Sequence, residues 1–195
     1  DASRIAPLRT IESRPAIEWN ATSVTVLGVE LPRQAPGPCT PPKARFASTC
    51  LDAPFLQAVR AVVHAVRFGR PCALEGETAA AKTTAILWLA HLTGAQVLRL
   101  NLHGQTDTGE LTGRYVPDDR PGTQSRWRFQ ESAIPRAMRS GWWVLLDELN
   151  LAEPQILERL NPVLENPPGL VLSEGPGTVF ARASGRERPD VVDIH

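Results

Sequence analysis

The sequence predicts an α/β protein built on a parallel β-sheet flanked by helices, and three observations predict it. A short apolar run, Pro71 to Leu74, passes into Gly76-Glu77-Thr78-Ala79-Ala80-Ala81-Lys82-Thr83-Thr84 and then into a helical apolar pattern. A second run, Trp142-Trp143-Val144-Leu145-Leu146, ends in Asp147-Glu148. Such a short continuous apolar segment suits a strand buried on both faces. From Asp52 onward strands and helices alternate, which is the order of a parallel α/β sheet. Ligands of open α/β sheets bind beyond the carboxyl ends of the strands, and both polar segments fall there.

Composition sets the bounds. A chain of 195 residues holds one full core with room for a small appendage. The formal net charge is zero, so no global field draws the chain to nucleic acid or to acidic membranes. No apolar stretch is long enough to span a bilayer, and the N-terminus shows no signal-peptide pattern. Cys39, Cys50 and Cys72 are odd in number and lack C-x-x-C spacing, so neither a disulfide framework nor a zinc site is indicated. Free thiols in a reducing cytoplasm are the plain reading, and a cytoplasmic location is expected. His64, His91, His103 and His195 stand singly, and none is assigned to metal.

Each element follows in order. Residues 1–50 hold a short alternating run, Val24 to Leu31, flanked by Pro32, Pro36, Pro38, Pro41 and Pro42. Proline at that density blocks helix and central strand alike, so a strand or hairpin followed by an extended linker is expected. Residues 51–195 form the second part. Phe55, Leu56, Val59, Val62, Val63 and Val66 share one helical face, with Asp52 as N-cap, Pro54 in the first turn and Gly69 past the end. A strand over Pro71 to Leu74 leads into the loop, then a helix runs from about Lys82 to Leu92 and a strand from Gln96 to Leu102. His103 to Ser125 reads as a polar segment, followed by a helix over Glu131 to Arg139 and the acidic strand. Pro154 opens a helix with Ile156, Leu157, Leu160, Val163 and Leu164 on one face, which Pro162 should kink or shorten. Leu170 to Leu172 and Thr178 to Ala181 read as a hairpin.

The loop at 76–84 has the strand–loop–helix context of a phosphate-binding loop, with Lys82 and Thr83 placed as in G-x-x-x-x-G-K-[ST]. Backbone N–H groups and the helix dipole favour phosphate there. Lys82 would neutralise the terminal phosphates, and the Thr83 hydroxyl would ligate Mg²⁺. The glycine before the lysine is replaced by Ala81. The basic residues comprise 19 Arg and two Lys, Lys43 and Lys82, so a lysine in the loop fits a role the wide guanidinium serves poorly. With the loop, the acidic strand completes a nucleotide site. The first acid, Asp147, holds Mg²⁺ and the next, Glu148, activates water.

From about Asp52 to the end the chain resembles the AAA+ family, in its MoxR-like and midasin-like branch, the dynein-related subfamily. The resemblance is carried by Leu74-Glu75-Gly76-Glu77-Thr78 with Lys82-Thr83, by Gly104-Gln105-Thr106-Asp107 with Leu111-Thr112-Gly113-Arg114-Tyr115, and by Trp143 to Ala152. Leu157 to Glu165 resembles the helix that follows in that family. The resemblance implies a P-loop NTPase fold, the AAA+ large subdomain. It also implies an ATPase with ATP and Mg²⁺ as ligands, acting in a homo-oligomeric ring, often a hexamer, or beside neighbouring AAA+ modules. Such machines remodel or mature a client protein complex. The resemblance further places the Leu170 to Ala181 hairpin on a pore-facing or partner-facing surface.

Two departures from that family stand out. Its members follow the hairpin with a sensor strand and a helical lid, and this chain ends at Asp193-Ile194-His195, where that strand should begin. A truncated module is therefore expected. The loop also reads Ala79-Ala80-Ala81 where the family usually has glycine first and third, which costs on the order of 1 kcal/mol if position 79 needs φ > 0.

Trp127 between Arg126 and Arg128 reads either as a single-strand nucleic-acid contact or as a short strand with a solvated face, and nucleic acid is not expected as a partner. Arg159 reads as an arginine finger or as a salt-bridge residue. Two functions stay open: an ATPase motor module, or a nucleotide-binding structural module with negligible hydrolysis. The intact Asp147-Glu148 favours the first and the alanine-filled loop the second.

Overall fold

The computed structural model describes residues 17–77, 80–120, 126–165, 169–171, 179–182 and 191–194. The chain forms two compact units. The first comprises residues 1–36 and 41–94, the second residues 37–40 and 95–195.

Unit 1 begins with an antiparallel sheet, β1 (Ile17–Trp19), β2 (Ser23–Val26) and β3 (Val29–Pro32), in the order β1-β2-β3. The alternating run is thus a hairpin with a third strand on its edge. Its turn is Leu27-Gly28, with φ of 52° and 78°, the double positive φ that a two-residue hairpin turn demands. Val24, Val26 and Leu31 point inward and are fully buried. The sheet packs on helices rather than standing apart, since β3 meets α1 (Ala53–Phe68) and β2 meets α2 (Lys82–Thr93). The start of α1 follows from its sequence. Asp52 accepts a hydrogen bond from the Phe55 N–H at 2.9 Å, and Pro54 sits in the first turn. Gly69 ends the helix in the left-handed conformation, φ 59°. Phe55, Val59, Val62 and Val63 are buried, and the Phe55 ring meets Trp88 of α2 edge to face at 5.6 Å. α2 is apolar nearly all round, as a helix enclosed on most sides must be.

The expected strand over Pro71 to Leu74 is not formed: residues 71–77 carry no regular structure, and most of them are exposed. A strand exists only by pairing, and no described strand pairs with this run. Pro71 also lacks a donor for a ladder.

Unit 2 holds the parallel pair. β4 (Val97–Asn101) and β7 (Trp143–Asp147) run side by side, with Val97 opposite Trp143 and Asn101 opposite Asp147. Between them in sequence lie α3 (Thr108–Thr112), the antiparallel strands β5 (Gly113–Pro117) and β6 (Trp127–Glu131), and α4 (Ala133–Arg139). The segment read as polar and irregular therefore contains a helical turn and a strand. Trp127 lies on a strand, and α4 starts two residues late because Glu131 belongs to β6. α5 (Pro154–Leu164) contains Pro162 and stops two residues beyond it, with Glu165 already extended. β8 (Gly169–Val171) and β9 (Val179–Arg182) form the expected hairpin, and β10 (Val191–Ile194) joins β9 in parallel.

The core of unit 2 gathers Leu102, Leu111, Ile134, Met138, Ile156, Leu160 and Leu170. β7 is less enclosed than its composition implies. Leu145 is buried while Val144 is 37% exposed, because β7 has a strand partner on one edge only among the described residues. Cys39, Cys50 and Cys72 are free and exposed. No described helix is long and apolar enough to cross a membrane.

Candidate functional site

The phosphate-loop residues lie in unit 1. Gly76 has φ 154°, and a Cβ there would find only Lys82 Cδ within 4 Å, at 3.9 Å, so the loop is open beside it. Thr78 and Ala79 lie outside the described residues. The Ala80 N–H donates to Glu77 O at 3.3 Å, closing a short turn. Among the described residues of the loop Ala81 is left-handed, with φ 54° and ψ 19°, and it is the N-cap of α2. Position 81 is the place where the motif has its second glycine, and the expectation for position 79 lies outside the described residues. The Ala81 carbonyl accepts the first helical bond, from the Ala85 N–H at 2.9 Å.

Two features at this junction suit an anion. Ala81 has no side-chain oxygen to cap α2, and the amides of a helix's first turn have no intrahelical acceptor. Lys82 is the first helical residue and folds back over the loop. Its Nζ donates to Gly76 O at 2.8 Å and to Glu77 O at 2.7 Å. The ammonium is thereby tethered beside the amides, on a stem long enough to exchange carbonyl oxygens for phosphate oxygens. Thr83 and Thr84 follow in the first turn, both partly exposed. Amide donors, one ammonium and a hydroxyl form a donor set that fits a polyphosphate.

The acidic residues lie in unit 2. Asp147 ends β7 opposite Asn101, and its backbone carbonyl accepts from the Leu102 N–H at 3.0 Å. Its carboxylate Oδ2 accepts from Arg99 Nε at 3.1 Å and Arg99 Nη2 at 2.5 Å. The register explains the pair. Arg99 stands opposite Leu145, so it shares a face with Asp147 one diagonal step away. The side chains are 47% and 20% exposed for Arg99 and Asp147, so the pair belongs to the weak, surface class. Arg99 is the residue the sequence reading missed. Its signal was available as a lone arginine inside the apolar strand Val97-Leu98-Arg99-Leu100.

Glu148 is exposed and left-handed, φ 56°, and caps the short 3-10 turn Leu149–Leu151 by accepting from the Leu151 N–H at 2.9 Å. Among the described residues three non-glycine positions have positive φ: Leu27, Ala81 and Glu148. The first serves a hairpin turn. The other two fall in the two segments that the sequence singled out for chemistry, and backbone strain concentrates at functional sites. Unit 1 thus brings together Gly76, Glu77, Ala81 and Lys82, and unit 2 brings together Asp147, Arg99 and Asn101. Among the described residues no group of three His, Cys, Asp or Glu could hold a metal ion without another ligand's help. Of the two residues expected to ligate Mg²⁺, Thr83 lies in unit 1 and Asp147 in unit 2.

Comparison with known proteins places the chain in a family. The AAA domain of the dynein-related subfamily matches residues 71–185, more than half of the chain. Midasin of Dictyostelium discoideum is 40% identical over 104 residues, 53% of this chain and 2% of that protein. Midasin of Giardia intestinalis is 33% identical over 131 residues, 67% of this chain and 3% of that protein. An uncharacterized protein of Bacillus subtilis, YojN, is 28% identical over 101 residues, 52% of this chain and 33% of that protein. The chain therefore spans only a few per cent of the length of the midasins that it matches. The match to the domain as a whole, over the loop, the acidic strand and the following hairpin, shows that this chain belongs to the AAA domains of the dynein-related subfamily.

Proposed function

We propose that the chain binds Mg-ATP and hydrolyses it as one module of a ring that remodels or matures a partner protein complex. The observation that carries this reading is the loop–helix junction. There a left-handed Ala81 turns the chain into an uncapped α2 whose first residue is Lys82. Family membership supports the nucleotide and the ring. In this reading residues 76–84 cradle the phosphates and Lys82 neutralises the terminal ones. Thr83 and Asp147 are the protein ligands of Mg²⁺, which supplies charge neutralisation when bound. Glu148 takes the proton of the attacking water, for which a general base must come within hydrogen-bond reach.

A second reading is a nucleotide-binding structural module with negligible turnover. Two observations favour it: Ala81 keeps a side chain at the left-handed position where the motif has glycine, and Asp147 is engaged by Arg99. Titration of a fluorescent ATP analogue against the wild type and Lys82→Ala tests the site, and equal binding by both refutes it. Glu148→Gln separates the two readings. It should keep ATP binding and abolish phosphate release in the assembled protein, whereas wild-type release no faster than in that variant selects the structural module.

A further inference from the structure

The helix that precedes the phosphate loop carries a face that unit 1 leaves unused. α1 buries Phe55, Val59, Val62 and Val63, and its other side exposes Arg60, His64 and Arg67, with Arg70 just beyond. Residues 53–74 contain no aspartate or glutamate, and neither does α2, which packs against α1. β3 also packs on α1, and its one carboxylate, Glu30, accepts a hydrogen bond from Ser23 Oγ at 2.5 Å. Among the described residues the side chains of Arg60, Arg67 and Arg70 have no ion-pair or hydrogen-bond partner. Phe68, the last residue of α1, is 66% exposed, with its ring stacked on His64. This face therefore offers a partner one aromatic ring and unpaired guanidinium groups.

Unit 2 offers the matching set. α5 buries Ile156 and Leu160 and exposes Glu158, with exposed Glu153 before it and exposed Glu165 after it. Its last residue, Leu164, is 48% exposed. The spacings agree. Arg60 and Arg67 are seven residues apart, as are Glu158 and Glu165, which is about 10 Å along a helix. On each helix the charge nearer the C-terminal end is adjacent to the exposed apolar residue, Phe68 in one case and Leu164 in the other.

We propose that α1 of one copy docks alongside α5 of a second copy, with Arg60 facing Glu158, Arg67 facing Glu165 and Phe68 covering Leu164. The two surfaces differ, so the contact is head to tail. Heterologous contacts of this kind generate rings when the rotation closes and open chains when it does not. The inference rests on the ring reading above and assigns that reading its surfaces. Exposed ion pairs contribute little one at a time, so selectivity comes from two pairs in register around an apolar contact. Such a contact is salt-sensitive.

Sedimentation velocity of the 195-residue chain at low and high salt tests it. The wild type should self-associate, more weakly as salt rises. Arg60→Glu/Arg67→Glu and Glu158→Arg/Glu165→Arg should each weaken association on the order of ten-fold or more, since two attractions become repulsions. An equimolar mixture of the two variants should recover it, because each now carries the sign that the other lacks. Circular dichroism confirms that both variants fold. Association of equal strength in the wild type and both variants overturns the pairing and leaves the ring reading standing. A wild type that stays monomeric at low salt overturns the contact between copies and leaves a ring of unlike modules standing. Binding of an oligouridylate through Arg60 and Arg67, without self-association, assigns the face to nucleic acid and likewise overturns the proposal.

Discussion

Replacing Ala81 with glycine should stabilise the protein without tightening nucleotide binding. Ala81 sits at φ 54° and ψ 19°, where an L side chain costs about 1–2 kcal/mol because Cβ crowds the following carbonyl oxygen. Glycine removes that cost but gives the unfolded chain more freedom, which returns about 0.5–1 kcal/mol. The net expectation is a gain of about 0.5–1 kcal/mol, read as an upward shift of the urea midpoint at unchanged slope. Strain relief enters the binding constant only if φ at position 81 changes when the ligand binds. A helix N-terminus that already projects its amides from a left-handed residue has no reason to change it. Calorimetric titration with Mg-ATP should therefore give the same affinity for both proteins within about two-fold, a difference of roughly 0.4 kcal/mol. Ala81→Val supplies the opposite sign, since a β-branched residue at positive φ is a genuine outlier, and it should fall well below the wild type in stability. Loss of stability in Ala81→Gly would refute the left-handed assignment. A clear gain in affinity would show that the loop reshapes around phosphate.

Other perturbations have equally definite outcomes. Arg99→Gln removes the Arg99 ion pair from the carboxylate of Asp147 while costing less than about 1 kcal/mol of stability, since the pair is exposed. It should lower the Mg²⁺ concentration needed for nucleotide binding several-fold in a Mg²⁺ titration, and a raised requirement contradicts Asp147 as a ligand. Gly94 ends α2 at φ 73°, and a Cβ there would stand 2.1 Å from Gln34 O. Gly94→Ala should cost about 2 kcal/mol or more in thermal melts, combining left-handed strain with a backbone clash. Arg120 donates to both carboxylate oxygens of Asp118, at 2.8 and 2.6 Å, and this holds its pKa down at about 2. A depressed carboxylate contributes stability that is full above its unfolded value near 3.9 and is lost as pH falls through about 2. An NMR titration of Asp118 should show that midpoint, returning towards 3.9 in Arg120→Gln.

Much of the architecture was legible because local chemistry settled it. Asp52, Pro54 and Gly69 mark the ends of α1 without help from the rest of the chain, and Pro162 marks where α5 fails. The acidic strand declared itself through an apolar run too short for a helix. What escaped was decided by pairing. Pro71 to Leu74 has the composition of a strand, yet a ladder needs a neighbour, and its composition cannot show whether one is in reach. Gly113 to Pro117 was passed over because its strand is held by register with Trp127 to Glu131, and the sequence between them is rich in residues that read as loop. Val144 read as buried because an apolar run does not reveal how many of its edges are covered.

The site shows the same division at finer scale. Residue types pointed to Lys82, Thr83, Asp147 and Glu148 as candidates for the chemistry, since an ammonium and a hydroxyl at a helix start and two carboxylates at a strand end are the groups a nucleotide site uses. Backbone conformation was the hidden variable. An alanine replacing glycine looked like a weakened loop, yet position 81 adopts the glycine conformation all the same and bears the strain. Strain of about 1–2 kcal/mol persists only where the surrounding structure holds it, and α2 can do so because Ala85, Leu87, Trp88, Leu89 and Ala90 anchor its body in the core. The helix thus fixes the loop rather than the reverse. Arg99 could be found only through register, because its partner lies 48 residues away in sequence and one diagonal step away in the sheet. If Asp147 holds Mg²⁺ as proposed, the cation competes with Arg99 for this carboxylate, and ligand binding is then linked to the middle of the neighbouring strand β4.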